Sequence, residues 1–200
     1  MSNVDSDWSL VEQVKQGNDH AFDELMERYK KPVINFIYRM LGNASDAEDM
    51  AQDVFVRAYQ NICKSAFRIG EGRFSTWLFQ IAHNAAIDNL RKRKRQPTET
   101  INDMEESKFA RAVTDKTADK VLAEQELGNQ IANAISELPP DQKTAIVLSE
   151  YHDISYSEIS EIMKCSEKSV ESRLYRAKNT LRQRLAHLLH GSYEEAGTYE

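Results

Sequence analysis

The residues best suited to bind a charged polymer lie in two basic clusters. The first is Arg91–Arg95, a run of five consecutive positive charges. The second extends from Arg173 to Arg184, where five basic residues occur and no acidic residue interrupts them. Dense Lys and Arg side chains neutralise the phosphate backbone of nucleic acids. Because the chain carries a formal net charge of −6, these clusters are local patches, and the acidic remainder indicates a protein partner.

The second cluster belongs to a predicted helix-turn-helix at about residues 155–184. Ser155 and Glu158 have the spacing of a capping box, which begins a short helix. A tight turn follows, and Ser166 is able to cap a second, long helix that continues to about residue 189. Two helices in this order, the second of them basic, are typical of proteins that read duplex DNA. We therefore expect this segment to bind DNA.

The second helix of this motif has two distinct faces at 100° per residue. One face is apolar and is expected to pack on its own domain through Val170, Leu174, Ala177 and Leu181. The opposite face mixes residue types that bond base edges and phosphates. Its Arg176 is suited to guanine and its Glu171 to cytosine. The candidate DNA contacts are Lys168, Glu171, Ser172, Tyr175 and Arg176. The alternative is an ordinary solvated helix.

The helix predicted at 46–62 carries an acidic ridge. Asp49 and Asp53 lie four residues apart on it and repel each other slightly, so local stability gives no reason for the pair. A basic surface on a partner protein would give one. Gln52 and Phe55 lie on the same part of the helix. The alternative is again a solvated face.

The first basic cluster ends a helix predicted at 75–95. This helix combines aromatic and amide side chains with a positive end, as proteins that bind single-stranded nucleic acid do. Asn84 lies off its apolar face and is a candidate for a base contact. Trp77 is expected to pack in the core instead.

The whole chain is predicted to be all-α, with two small helical domains joined by a flexible linker. Only seven Gly and four Pro interrupt the helical periodicity. Helices are expected at 19–41, 46–62 with Ser45 as its cap, 75–95, 117–138, 141–150, 155–163 and 166–189. The domains are predicted at 1–95 and 117–190, with a linker at 96–116 and a disordered tail at 191–200.

Several classes of protein are not supported by the sequence. It has no Gly-rich phosphate loop, HExxH motif or nucleophile elbow, so we expect no enzyme, no catalytic residue and no cofactor. Cys63 and Cys165 are far apart and form no metal-binding motif, so we expect two small buried side chains and no metal site. Without an apolar run of roughly 18 residues or a signal peptide, a cytoplasmic protein that does not insert into a membrane is expected.

Three segments, in this order, resemble the extracytoplasmic-function (ECF) sigma factors of bacterial RNA polymerase. They are DAEDMAQDVFVRAY, FSTWLFQIAHNAAIDNLRKRKR, and the stretch from ELPPDQKTAIVL to NTLRQRL. The resemblance implies a two-domain initiation factor. Its first domain would dock on the β′ clamp of the polymerase core and open the minus-10 element, and its second would read the minus-35 element and meet the β flap. The core-binding residues would be Asp49, Gln52, Asp53 and Phe55.

The resemblance also implies where the melted strand is held. The loop between Cys63 and Arg73 corresponds to the specificity loop of the family, which holds a flipped base. The minus-10 contacts would be Phe67, Asn84, Arg91, Lys92 and Arg95. His83 and Glu171 depart from the residues common in the family at their positions. A dedicated anti-sigma factor is a further expected partner.

Two other functions remain open on the sequence. A stand-alone DNA-binding regulator would use the helix-turn-helix but would have no use for Asp49 or Asp53. A pure protein-interaction module would not depend on Arg176 for promoter affinity.

Overall fold

The structure is a computed structural model that describes residues 3–64, 72–95 and 118–186. Within these ranges the chain is helical and contains no strand, so the all-α prediction is confirmed. The helices are α1 (Asn3–Lys15), α2 (His20–Leu41), α3 (Ala44–Ile62), α4 (Phe74–Arg95), α5 (Ala118–Ser136), α6 (Pro140–His152), α7 (Tyr156–Met163) and α8 (Glu167–Arg184). The predicted linker at 96–116, the tail at 191–200 and Phe67 lie outside the described residues.

The helices α1–α4 form an N-terminal unit around a core of large apolar side chains. The long amphipathic helix α2 places apolar residues three and four positions apart, and Leu25, Phe36, Ile37 and Met40 are almost fully buried. Phe36 meets Phe79 of α4 edge to face, with ring centroids 5.6 Å apart. α2 ends where Gly42 adopts a left-handed conformation and donates its backbone N–H to the carbonyl of Tyr38. This core fixes the directions in which α3 and α4 present their outer faces.

The cap of α3 differs from the prediction. Asn43, and not Ser45, precedes the helix with an extended backbone, and its side-chain oxygen accepts a hydrogen bond of 2.9 Å from the backbone N–H of Asp46. Asn is among the best N-cap residues, and Ser45 already lies within the first helical turn. Arg93 of α4 pairs with the Asp46 carboxylate, which ties the beginning of α3 to the end of α4.

The helices α5–α8 form a C-terminal unit that contains the predicted helix-turn-helix. Ser155 and Glu158 form the expected capping box of α7, and Ser166 caps α8 by accepting from the N–H of Ser169. Lys164 takes the left-handed conformation in the turn between them, with φ of 50°. In α8, Val170, Leu174 and Ala177 are buried as predicted, while Leu181 is half-buried.

The two units pack directly against each other. α7 lies on α4, and α6 lies on α2, so that the buried apolar residues of both units form one continuous cluster. None of the described helices combines the length and apolar character needed to cross a membrane.

The capping box gives a stability prediction with a matched control. Ser155→Ala removes the side-chain acceptor of the Glu158 N–H, and we expect unfolding free energy to fall by about 1 kcal/mol. Ser157→Ala, two residues later on the exposed surface of α7, should change it by much less. Urea denaturation followed by circular dichroism measures both variants, and equal losses would contradict the role of the cap.

Candidate nucleic-acid interface

The basic residues of α8 divide into those that are held by carboxylates and those that are not. Arg173 pairs with Asp141 at 3.2 Å, and Lys178 pairs with Glu150 at 2.9 Å, which raises the pKa of the lysine. Arg184 pairs with Glu137, which follows the last residue of α5. Lys168 and Arg176 make no ion pair within the described ranges. Arg182 likewise makes no ion pair there and donates to the side-chain oxygen of Asn179 at 2.8 Å. Cations that no carboxylate holds therefore occur along the whole length of α8.

The predicted reading face of α8 is exposed along its length. The five candidates, Lys168, Glu171, Ser172, Tyr175 and Arg176, are all exposed, and Tyr175 presents 70% of its surface to solvent. Arg173, one turn away, instead donates to the Cys165 sulfur at 2.7 Å and holds α8 against the preceding turn. The expectation that both cysteines are buried is wrong, because Cys63, which follows the last residue of α3, is exposed and Cys165 is only half-buried.

At the basic end of α4, too, one residue is held by an ion pair and its neighbours are not. Arg93 is turned toward α3, where it pairs with Asp46. Asn84, Arg91, Lys92 and Arg95 are exposed; among them Arg91 has only a weak contact of 3.7 Å with the exposed Asp88. Four of the minus-10 candidates thus share the outer surface of one helix.

Candidates from the two units meet along one groove. This interdomain groove has a volume of about 880 Å³ and lies between the end of α4 and the beginning of α8. Arg91 and Lys94 line it from α4, and Lys168, Ser172 and Arg176 line it from α8. Sequence spacing alone gave no reason to place these residues together.

The acidic ridge of α3 is exposed and lies apart from the groove. Asp49, Gln52 and Asp53 are exposed, and the two carboxylates make no ion pair within the described ranges. Phe55 is only 7% exposed and packs edge to face on Phe22, with ring centroids 6.4 Å apart. Its neighbour Val56 is 54% exposed and provides the apolar surface of the ridge.

Comparison with known proteins identifies the family. The model for sigma-70 region 2 matches residues 25–96, and the model for sigma-70, region 4 matches residues 128–181. The ECF RNA polymerase sigma factor SigW of Bacillus subtilis is 38% identical over 89% of this chain and 96% of its own length. The RNA polymerase sigma-H factor of Pseudomonas aeruginosa is 33% identical over 94% of this chain and 98% of its own. The chain belongs to the ECF sigma factors.

A solved structure gives the same result for the fold. The structure of CnrH in complex with the cytosolic domain of CnrY has a TM-score of 0.65 and 27% identity, and it covers 91% of this chain and 98% of CnrH. The protein is therefore an alternative sigma factor that binds RNA polymerase core and promoter DNA and directs transcription initiation. The resemblance noted from the three sequence segments is confirmed.

The sigma factor also has polar contacts between its two units that the sequence did not predict. Glu158 of α7 lies 3.3 Å from the guanidinium of Arg73 and accepts a hydrogen bond of 3.4 Å from the Thr76 hydroxyl. Gln80 donates its side-chain N–H to the carbonyl of Glu161 at 2.9 Å. We call these contacts between α4 and α7 the polar latch.

The environment of Glu158 favours its charged form. Partial burial raises the pKa of this carboxyl, but hydrogen bonds from Ser155, together with Arg73 and Thr76, outweigh burial, so that the pKa is lowered. The same carboxylate therefore caps α7 and holds α4.

Polar side chains are also buried where α6 meets the N-terminal unit. Lys143 is 7% exposed, its Nζ lies 3.5 Å from the Met40 carbonyl, and burial lowers its pKa. The Thr144 hydroxyl lies 3.4 Å from Nδ1 of His83. Burial lowers the pKa of His83 to about 4, with a smaller opposing effect of Asp141. His83, noted as a departure from the family, thus lies in the contact between the units.

One signal in the sequence could have revealed this contact. Residues 144–148 of α6, TAIVL, are all buried, although a surface helix would alternate apolar and polar faces. A helix segment that is apolar all round must be covered on all sides, and the short C-terminal unit cannot cover it alone.

The two buried histidines predict that acid weakens the contact between the units. His152 packs against Phe36 and Phe79, and burial lowers its pKa to about 4, as it does for His83. Since the ordinary value is 6.5, the stability that comes from keeping both rings neutral is complete above pH 6.5. It is lost as the pH falls from 6.5 through about 4.

The charged groups near the two imidazole rings do not reverse the lowering of the histidine pKa values. Arg173 and Arg91 oppose protonation of His83 while Asp141 favours it; Arg39 opposes protonation of His152 while Asp153 favours it. Titration of the imidazole signals by NMR should give midpoints near 4 in the folded chain and near the ordinary value in urea. Folded-state midpoints close to 6.5 would contradict the burial of these rings.

Proposed function

We propose that three exposed surfaces divide the work of this sigma factor. The α3 ridge docks on the polymerase core, the outer surface of α4 engages the minus-10 element, and α8 reads the minus-35 element. The observation that carries this proposal is that some charged side chains are already paired within the protein and others are not. On each surface, the charged candidates are exposed and have no ion pair, or only a weak one, with the residues that the structure describes, whereas neighbouring charges such as Arg93 and Arg173 are held by carboxylates within the protein.

The α3 ridge is suited to a basic surface with an apolar centre, which we take to be the β′ clamp of the polymerase. Asp49 and Asp53 supply charge, Gln52 supplies hydrogen bonds, and Val56 supplies apolar area. Phe55 contributes indirectly, because its buried ring packs on α2 and fixes the rotation of α3. The two carboxylates repel each other slightly when the ridge is free, and a basic partner removes that cost.

The minus-10 role of α4 follows from the physics of strand separation. Opening the duplex costs on the order of 1.4 kcal/mol for each stacked step. Trapping the displaced strand recovers that energy without ATP. We assign the backbone of the strand to Arg91, Lys92 and Arg95, a base to Asn84, and the flipped base to the loop containing Phe67.

In the minus-35 role of α8, some residues position the helix on the duplex and others read its base sequence. Lys168, Ser172 and Tyr175 are suited to phosphates, which set the register of the helix on the duplex. Arg176 is suited to a guanine through two parallel hydrogen bonds, and Glu171 to the amino group of a cytosine. Together these contacts would fix the C-terminal unit in the major groove.

The remaining assignments complete the proposal. Residues 1–95 and 117–190 act as the two domains, 96–116 links them, and 191–200 is a tail. The C-terminal unit contacts the β flap. Because CnrH is similar and was solved with the cytosolic domain of CnrY bound, we assign an anti-sigma factor as a further partner. The protein acts in the cytoplasm without a catalytic residue or cofactor of its own.

Charge reversal on the α3 ridge tests the polymerase contact. Asp53→Arg should reduce binding of core polymerase in a pull-down at least tenfold, while circular dichroism shows the same helical content, because Asp53 is exposed. Glu27→Arg, an equal charge reversal at an exposed position of α2, is the matched control and should bind normally. Unchanged binding by Asp53→Arg would refute docking through the ridge and would favour a stand-alone DNA-binding regulator.

Removal of one guanidinium on α8 tests the reading role. With holoenzyme, Arg176→Ala should weaken binding to a promoter by about 1–3 kcal/mol and relax the preference at one base pair of the minus-35 element. Arg182→Ala removes another exposed arginine, which lies near the end of the same helix and does not line the groove, and it should have a small effect. Fluorescence anisotropy with labelled promoter variants measures both. An unchanged affinity for Arg176→Ala would remove this residue from the interface.

A further inference from the structure

The first helix of the chain contacts the point where the loop assigned to the flipped base ends. The indole N–H of Trp8, in α1, donates to the backbone carbonyl of Gly72 at 2.9 Å, although the two residues lie 64 positions apart. Phe74 begins α4 two residues after Gly72. A side chain from α1 therefore holds the chain immediately before α4.

The Gly72 carbonyl lies just before the hydrogen-bond ladder of α4. The ladder begins at Arg73, whose carbonyl accepts from the backbone N–H of Trp77 at 3.2 Å. Gly72 itself has a φ of 83°, in the left-handed region that glycine adopts at little cost. Since an indole N–H can only donate, its bond to this carbonyl fixes the direction in which the chain enters α4.

An edge-to-face contact holds the indole ring in place for this hydrogen bond. The ring of Trp8 meets the ring of Phe74 at 87°, with centroids 5.9 Å apart. Phe74 is 1% exposed, and Tyr29 of α2 packs on it with centroids 5.5 Å apart. Such aromatic pairs are directional. Trp8 thus contacts both the end of the loop and the first residue of α4.

A buried ion pair fixes α1 at the residue before Trp8. Asp7 is 4% exposed, pairs with the guanidinium of Arg28 and accepts a hydrogen bond from the hydroxyl of Tyr29. Burial, together with the Asp7 carboxylate, raises the pKa of Tyr29, so that its hydroxyl keeps the proton that it donates. Separating a buried carboxylate from its partners is strongly unfavourable. The Trp8 indole therefore reaches Gly72 from a fixed position on α2.

These contacts lie within the N-terminal unit. Trp8 and Asp7 belong to α1, Arg28 and Tyr29 belong to α2, and Phe74 belongs to α4. The anchor at Gly72 therefore does not depend on where the C-terminal unit lies, and it is available while α8 reads the minus-35 element.

We propose that Trp8 is a positioning residue for the capture of a minus-10 base. It acts through Gly72, by fixing the end of the loop against α4. This inference rests on the proposed function, which assigns the flipped base to that loop and a further base to Asn84. Groups that bind a ligand must be held within about 0.5 Å of their productive geometry by the residues around them.

Two substitutions at Trp8 separate the hydrogen bond from the packing of the ring. Trp8→Phe keeps an aromatic ring against Phe74 but removes the donor. Trp8→Gln supplies a side-chain N–H donor of similar reach but removes the ring. If Trp8 served only the packing, stability and base capture would both decrease in the order wild type, Trp8→Phe, Trp8→Gln.

The probes are fork-junction duplexes that carry a promoter selected by the wild-type holoenzyme from a random library. In each probe, one base of the single-stranded minus-10 element is replaced by an abasic site. Fluorescence anisotropy measures the loss of affinity that each replacement causes. With wild-type holoenzyme, the abasic site at the captured base should cause the largest loss.

Trp8→Phe should reduce the loss of affinity at the captured base by about fivefold, the effect of one hydrogen bond. The losses at other positions and the affinity for core polymerase should stay as in the wild type. Trp8→Gln should restore the loss at the captured base close to its wild-type value, although urea denaturation should show it to be less stable than Trp8→Phe.

The outcomes separate this inference from the proposed function. Wild-type holoenzyme that tolerates every abasic site equally would refute the capture of a base, and this inference with it. A clear wild-type preference that Trp8→Phe retains would overturn the role of Trp8 and leave the assigned surfaces intact. Base capture that follows stability in both variants would also overturn that role, because the indole would then serve only the fold.

The hydrogen bond itself can be measured in the free chain. The indole N–H signal of Trp8 is identified in a nitrogen-15 NMR spectrum by its absence from Trp8→Phe. Its exchange with solvent should be slower than that of free tryptophan, because the proton is held by the Gly72 carbonyl. Exchange as fast as in free tryptophan would overturn the anchor.

Discussion

The packing of α6 is the constraint on which the rest of the structure depends. Its residues Thr144–Leu148 are buried on every side, because α8 and α7 cover it from one unit and α2 from the other. Burying such a segment is strongly favourable, since apolar surface leaves water. The same packing forces Lys143, Thr144 and His83 into the contact, where their polar groups are poorly satisfied. One element thus joins the two units and places polar side chains in the contact between them.

Ion pairs within the protein decide which charges remain available for function. The sequence contains two basic clusters that look uniform, yet Arg93 and Arg173 are each held by a carboxylate from a neighbouring helix. Their neighbours on the outer surfaces of α4 and α8, such as Lys92 and Arg176, remain exposed. The acidic side chain of Glu158 makes two kinds of contact at once, because its carboxylate both caps α7 and contacts α4. Local capping and long-range contact are therefore coupled in a single side chain.

The sequence alone predicted much of the candidate site, because the relevant faces are set by helical periodicity. Val170, Leu174 and Ala177 recur at helical spacing, so the opposite face of α8 had to be exposed. The α3 ridge was predicted in the same way, although Phe55 proved to be buried against Phe22 while Val56 is exposed. A residue at the edge of the apolar face of a helix can be either buried or exposed, and the helices packed against it determine which.

Local chemistry determined the helices, most of their caps and the family of this sigma factor, since those depend on residues close together in the chain. Tertiary structure alone decided that α7 lies on α4, that His83 and His152 are buried, and that Arg91 of α4 lines one groove with Lys168, Ser172 and Arg176 of α8. The physical reason is distance along the chain. Contacts such as Thr76 with Glu158 join residues 82 positions apart, and no local pattern encodes a partner that folding alone brings into reach.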